Sequence, residues 1–246
     1  MAFCSVNFFA DSLGKAMGMN AIVPTSGKGP FPVLYLLHGL SDDYTLWQRR
    51  SSIERYAERL PVIVVMPDGG RSFYCNDPRP GGMAFEDHIV KDVVGTVDRL
   101  FPTIASRGGR AIAGLSMGGY GALMLSLRHP DMFSIACSHS GAMGIASSTP
   151  KQEPGLKKLT AGLPKESYDL YRLAKRFKLT VKKMAIRIDC GAQDFLIEDN
   201  RQFHAHLTKL GMPHEYQEYP GGHSWEYWDE HVQQTLKFAM EYFKKK

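Results

Sequence analysis

Two unbroken apolar runs set the pattern of the chain: Val33 to Leu37, leading into His38-Gly39, and Val62 to Met66, leading into Pro67-Asp68. Runs of this length that end in turn residues are the mark of strands buried on both faces. Between them, Trp47 to Leu60 reads as helical. From Phe85 onward Ile89, Val93, Val97 and Leu100 recur at spacings of four and three with Glu86, Asp87, Lys91 and Asp92 between them, which predicts an amphipathic helix. Further strands are expected at Arg110 to Leu115, Phe133 to Ser138, Met184 to Cys190 and Glu215 to Tyr219. A last helix is expected from Trp225 to Phe243, with Trp228, Val232, Leu236, Ala239 and Phe243 on one face. Strands that alternate with helices of ten or more residues make βαβ units, and hence a mostly parallel central sheet with helices on both faces. The alternation breaks once, at about 142–182, where Pro150, Pro154 and Pro164 separate short polar pieces and only Ser167 to Phe177 looks helical. This stretch is expected to be a short insertion at the strand ends, forming a partial cap over the site.

At 246 residues, 43% hydrophobic and 22% charged, the chain fits a single globular α/β domain spanning 1–246. No basic residue precedes the short apolar stretch in Met1 to Asp11, and no run approaches the roughly 18 apolar residues of a membrane span. A soluble, cytoplasmic protein is expected. Cys4, Cys75, Cys137 and Cys190 are scattered without a CxxC pair, which suggests neither a zinc site nor a disulfide framework. The net charge of +5 hides an asymmetry: residues 142–183 carry ten Lys or Arg against three Asp or Glu, a balance of +7 that leaves −2 for the rest. Without interleaved aromatics or a known module this excess does not indicate a nucleic-acid partner, and it reads first as a solvated face.

The chemistry centres on Gly114-Leu-Ser116-Met-Gly118, a GxSxG pentapeptide placed after a buried strand and at the start of a helix. In that context a sharp turn lifts a serine hydroxyl above the sheet, and Ser116 is the expected nucleophile. A hydroxyl needs a base within hydrogen-bond reach. Of the nine histidines, His223 follows the last strand and the turn Pro220-Gly221-Gly222, which puts it on the rim; His139, also after a strand, is its best rival. Asp194, in Gly191-Ala-Gln-Asp194, lies past a strand end and between serine and histidine in the chain, whereas Asp189 sits inside the strand and Glu198 and Asp199 belong to the next helix. Its expected work is to hold the imidazole tautomer and stabilise the imidazolium. The oxyanion donors are expected to be the Met117 N–H, and the Leu40 N–H after the turn at Gly39. Trp47, Phe73, Tyr74, Trp225 and Trp228 divide evenly between pocket lining and core, and the loop Asn76 to Gly82 lies on the same rim.

The set Leu36-Leu-His-Gly-Leu-Ser-Asp-Asp43, Gly114-Leu-Ser-Met-Gly-Gly-Tyr-Gly-Ala-Leu123, Cys190-Gly-Ala-Gln-Asp194 and Gly221-Gly-His-Ser-Trp225 resembles the esterase D-related esterase family of the α/β-hydrolase superfamily. That family includes S-formylglutathione hydrolases, feruloyl esterases, carboxylesterases of the tributyrin type and mycolyltransferases. The resemblance covers nearly the whole chain and implies the α/β-hydrolase fold, no cofactor and no metal, the triad Ser116, Asp194 and His223, and Leu40 and Met117 as oxyanion donors. The chain is short for a formylglutathione enzyme and lacks the exported N-terminus of the secreted members. The expected activity is therefore a serine carboxylesterase acting on short-chain acyl esters through an acyl-enzyme. The alternatives are an S-formylglutathione hydrolase or related thioesterase, an acyltransferase, and a binding protein without catalysis. The expected partner is a small-molecule ester or thioester, with no nucleic acid and no membrane; a homo-oligomer is compatible with the sequence.

Overall fold

The computed structural model of the protein describes residues 1–146, 165–178, 180 and 183–245. Eight strands form one sheet: β1 (Ala2–Ala10), β2 (Lys15–Val23), β3 (Val33–Leu37), β4 (Ile63–Pro67), β5 (Arg110–Leu115), β6 (Ile135–His139), β7 (Ala185–Gly191) and β8 (Glu215–Tyr219). Their order is β1-β2-β4-β3-β5-β6-β7-β8, with β1, β2 and β4 paired antiparallel and all other neighbours parallel. This is the mostly parallel sheet of the α/β-hydrolase fold. The N-terminal hairpin is the part the apolar pattern did not predict. In β1 partly buried and exposed positions alternate, so its side chains never form the unbroken run that marked β3 and β4.

Because side chains of a strand alternate between faces, each strand divides its apolar residues between two cores. Tyr35, Leu37, Val65 and Ile112 face one side, beneath Ile89, Val93 and Val97 and the helix α5 (Met117–Arg128). Leu34, Leu36, Val64, Ala111 and Ala113 face the other, beneath Trp47, Ile53 and the C-terminal helix, of which Trp228, Val232, Leu236 and Ala239 are buried. That C-terminal helix runs Trp225–Phe243, as its periodicity predicts. The helix predicted over Trp47 to Leu60 is two short ones, α1 (Leu46–Arg50) and α2 (Ile53–Ala57). The helical run beginning at Phe85 is α3 (Phe85–Asp87), a π-helical stretch, His88–Val93, and α4 (Val94–Leu100).

Of the expected insertion, residues 147–164, 179, 181 and 182 fall outside the described residues, and so does most of the expected cap. Within it α6 (Leu170–Lys178) buries Leu170, Leu173, Ala174 and Phe177 and ends on exposed Lys175, Arg176 and Lys178. No helix among the described residues is long and apolar enough to cross a membrane. The four cysteines are free thiols.

One ion cluster around the buried Glu86 carboxylate ties the Phe85 segment to the far end of α5. Glu86 Oε1 accepts from Arg128 Nε and from His129 Nε2, each at 2.7 Å, and Arg128 Nη1 donates to the Ser167 carbonyl at 2.7 Å. Burial alone would raise the Glu86 carboxyl, but the His129 bond and the Arg128 charge and bond outweigh it and hold it below its ordinary value. A carboxyl depressed in the folded state contributes stability above its unfolded pKa and loses that contribution as pH falls through the folded one. Glu86→Gln should therefore cost about 2 to 3 kcal/mol at neutral pH. In urea titrations the gap to wild type should close as the carboxyl of the wild type is protonated, and a gap unchanged into the acid range would refute this assignment.

Candidate active site

The parallel strands deliver their C-terminal ends to one rim, where open α/β sheets bind their ligands. At the end of β5, Ser116 adopts φ 53° and ψ −115°, a turn that a non-glycine residue occupies only when its surroundings impose it. Three features impose it here. The Ser116 N–H donates to the His139 carbonyl at 2.9 Å, which couples the turn to β6. A Cβ on Gly114 would stand 2.5 Å from the Gly118 backbone, so β5 and α5 approach more closely than side chains allow. A Cβ on Gly118 would stand 2.5 Å from the Leu37 carbonyl oxygen and 2.6 Å from that of His38, which brings the start of α5 against the end of β3.

The acid and the histidine are joined through their loops. The Ala192 N–H donates to the Tyr219 carbonyl (2.8 Å), the Gln193 N–H to the Gly221 carbonyl (2.9 Å), and the Gly221 N–H to Gln193 Oε1 (2.7 Å). Gly221 has φ 129°, open to glycine, and a Cβ on Gly191 would stand 2.3 Å from the Gly221 oxygen. This lacing fixes the distance between residues 29 apart in sequence. His223 Nδ1 lies 2.9 Å from Asp194 Oδ2 and 3.1 Å from Oδ1, and Nε2 lies 3.0 Å from Ser116 Oγ. With the carboxylate only an acceptor, Nδ1 carries the proton and Nε2 is left to accept from the serine hydroxyl.

Asp194 is buried, while His223 remains partly open to solvent. Burial works to raise the Asp194 carboxyl, yet the His223 bond, the Leu196 N–H (2.8 Å to Oδ1), the nearby imidazole and the Ser140 hydroxyl outweigh it, so the acid stays ionised. Two rings lie near the imidazole: Trp228, edge-on with centroids 4.9 Å apart, and the exposed Phe195, tilted with centroids 4.5 Å apart.

The loop after β3 lies against the serine, since a Cβ on Gly39 would be 3.8 Å from Ser116 Cβ and 2.6 Å from Leu115 Cδ1. His38 orients this loop. The Gly69 N–H donates to His38 Nε2 at 2.8 Å, so Nδ1 must bear the proton, and it donates to the Gly39 carbonyl at 2.8 Å. That carbonyl belongs to the same planar peptide as the Leu40 N–H, so fixing one fixes the other. Tyr74 closes the arrangement by donating its hydroxyl to the His38 carbonyl at 2.9 Å. The Leu40 N–H makes no backbone hydrogen bond among the described residues, and the Met117 N–H, first in its helix, has no intrahelical acceptor. Two N–H groups are thus available beside Ser116.

His139, the rival histidine, is wholly buried. Its Nδ1 is 2.9 Å from Asp189 Oδ1 and its Nε2 is 2.9 Å from Thr235 Oγ1; Tyr227 and Arg187 also donate to Asp189. This network ties β6 and β7 to the C-terminal helix. Of the five aromatics left between pocket and core, Trp47, Phe73, Tyr74 and Trp228 are buried, and Trp225 meets Trp47 and Trp228 edge-to-face at 5.2 and 5.5 Å. Sequence reasoning missed His38 and Phe195 as residues touching the site. The signals were present: a histidine directly before the oxyanion-loop glycine, and a bulky apolar residue directly after the acid on a rim loop. Among the described residues no group of three or more His, Cys, Asp or Glu is placed to hold a metal ion.

Comparison with known proteins gives this geometry its relatives. The family described as "Putative esterase" matches residues 10–239. The acetyl esterase of Caldicellulosiruptor saccharolyticus is 28% identical over 98% of this chain and 99% of its own length. FphF, a fluorophosphonate-binding serine hydrolase of Staphylococcus aureus, superposes with a TM-score of 0.88 at 30% identity, over 97% of this chain and 98% of that one. The S-formylglutathione hydrolase FrmB of the same organism superposes at 0.85 with 28% identity, again over 97% and 98%. Its matching length corrects the expectation that this chain is too short for a formylglutathione enzyme. The chain belongs to the "Putative esterase" family and is a serine hydrolase of carboxylic esters built on the α/β-hydrolase fold.

Proposed function

We propose that the protein hydrolyses esters of short acyl chains, with Ser116 as nucleophile, His223 as general base and then acid, and Asp194 as the group that orients and stabilises the imidazolium. The observation that carries this reading is the continuous relay from Asp194 through His223 to Ser116 Oγ, at 2.9 and 3.0 Å, beside the Leu40 and Met117 N–H groups, which have no backbone acceptor among the described residues. Ser116 attacks the ester carbonyl as His223 takes its proton. The developing oxyanion is held by the Leu40 and Met117 N–H groups, the first of them oriented by His38. His223 then protonates the departing alcohol oxygen, leaving an acyl-enzyme, and water repeats the sequence to free the acid. An acetyl esterase that matches along its whole length supports the short acyl chain. Four free thiols support a reducing, cytoplasmic setting, and one sheet whose strands run from Ala2 to Tyr219 supports a single domain over 1–246.

A second reading, thioester hydrolysis, is favoured by the likeness to the S-formylglutathione hydrolase and by the exposed Lys175, Arg176 and Lys178 at the end of α6, which would attract an anionic thiol. A chain-length series of p-nitrophenyl esters run beside S-formylglutathione separates the two. Oxygen-ester hydrolysis should peak at two to four carbons, and kcat/KM for the thioester should stay lower; a far higher thioester value that falls steeply with salt would overturn the first reading.

Two substitutions test the residue roles. Ser116→Ala should reduce kcat by a factor on the order of 10⁶ while the fold, read by circular dichroism, is kept. His38→Ala should lower kcat by roughly 10² to 10³, the cost of one misplaced oxyanion donor, whereas His38→Asn, which can still donate to the Gly39 carbonyl, should lose less. Equal losses in the two His38 variants would argue that the side chain only fills space.

A further inference from the structure

Phe195 is the most exposed of the large apolar side chains among the described residues, at 76%, yet it lies beside the reaction centre. Its ring centroid is 4.5 Å from that of His223, at an interplanar angle of 48°, on an imidazole whose other neighbour, Trp228, is 6% exposed. The fold does not depend on this ring. The turn that carries it is closed by Asp194, whose side chain accepts the Leu196 N–H at 2.8 Å and whose carbonyl accepts the Ile197 N–H at 3.1 Å. Phe3 and Phe9, also exposed, lie on β1 at the far edge of the sheet from β7.

The chemistry says which part of a substrate passes this ring. A base that has taken the serine proton must return it to the leaving oxygen, so that oxygen sits within hydrogen-bond reach of His223 Nε2. The first atoms of the alcohol beyond it then lie against whatever flanks the imidazole. The acyl carbonyl is directed elsewhere, toward the Leu40 and Met117 N–H groups. We propose that Phe195 is a specificity-determining residue that forms one wall of the leaving-group subsite, and that it selects esters of apolar, above all aryl, alcohols. An aryl group covers the ring and gains an offset or edge contact; a small alkyl alcohol leaves it wet, and a charged one keeps its own water. This rests on the serine-esterase reading and adds the class of alcohol to it. It also opposes a hydrophilic peptide thiol as the preferred leaving group.

Substrates that share the acetyl group and differ in the alcohol isolate the effect. Wild type, Phe195→Ala and Phe195→Leu are compared on phenyl acetate and ethyl acetate, each substrate judged by its variant-to-wild-type ratio so that intrinsic reactivity cancels. Phe195→Ala should lower kcat/KM for phenyl acetate roughly three- to tenfold, the worth of one aromatic contact, through KM. Ethyl acetate should change less than about twofold, and Phe195→Leu should fall between wild type and alanine on the aryl ester. Equal losses on both substrates, carried by kcat, would make Phe195 a positioning residue for His223 and overturn the proposal, as would no change on either. Wild type that splits no acetate and takes up no fluorophosphonate at Ser116 would sink the esterase reading and this proposal together, whereas a flat Phe195 response in an active enzyme sinks the proposal alone.

Discussion

The site depends on a backbone conformation that serine would not choose for itself. The positive φ of Ser116 places its hydroxyl above the sheet, and the turn persists because its neighbours leave no relaxed alternative. Its N–H is committed to the His139 carbonyl, and Gly114 and Gly118 let β5, α5 and the end of β3 approach within distances that any Cβ would forbid. The same close approach carries the oxyanion loop to the serine. One constraint thus sets both where the proposed nucleophile stands and where, in the proposed mechanism, the charge it creates would be received.

Around that turn the rest of the rim is rigid for identifiable reasons. His38 holds the Gly39–Leu40 peptide through a tautomer dictated by the Gly69 N–H. The loops bearing Asp194 and His223 are laced by three hydrogen bonds, so the pair does not depend on chance side-chain encounter. Preorganisation of this kind is where catalytic power comes from, because donors already aimed at the developing charge need not reorganise as it forms. The acid stays ionised against the upward push of its burial because three neighbours, His223, Leu196 and Ser140, stabilise the charged form.

Among the histidine–aspartate pairs of the described residues, two share the same 2.9 Å approach of Nδ1 to the carboxylate and divide by environment. His139 and Asp189 are sealed in the core, with both imidazole nitrogens and both carboxylate oxygens committed to protein partners. His223 keeps one nitrogen directed at a hydroxyl and one edge open to solvent. His139 is the last residue of β6 and His223 lies on the loop after β8, and at the imidazole the difference is whether Nε2 meets Thr235 or Ser116.

Much of this was legible in the sequence. The unbroken apolar runs gave β3 and β4, the four- and three-residue spacings gave the long helices, and GxSxG after a strand with Asp194 and His223 past later strand ends gave the three residues that the structure brings together. The hairpin β1–β2 was not legible, because the edge strand β1 alternates partly buried with exposed positions and Gly18 and Asn20 interrupt the apolar residues of β2, and the split of Trp47 to Leu60 into two helices was hidden in a pattern that reads as one. Phe195 and His38 were visible as letters but not as parts. Local sequence determines strand, helix and turn because backbone sterics and side-chain periodicity act over a few residues. Which imidazole meets a serine, which ring is left wet beside it and which peptide N–H is turned toward it were decided only by packing between segments tens of residues apart, through distances that no local pattern contains.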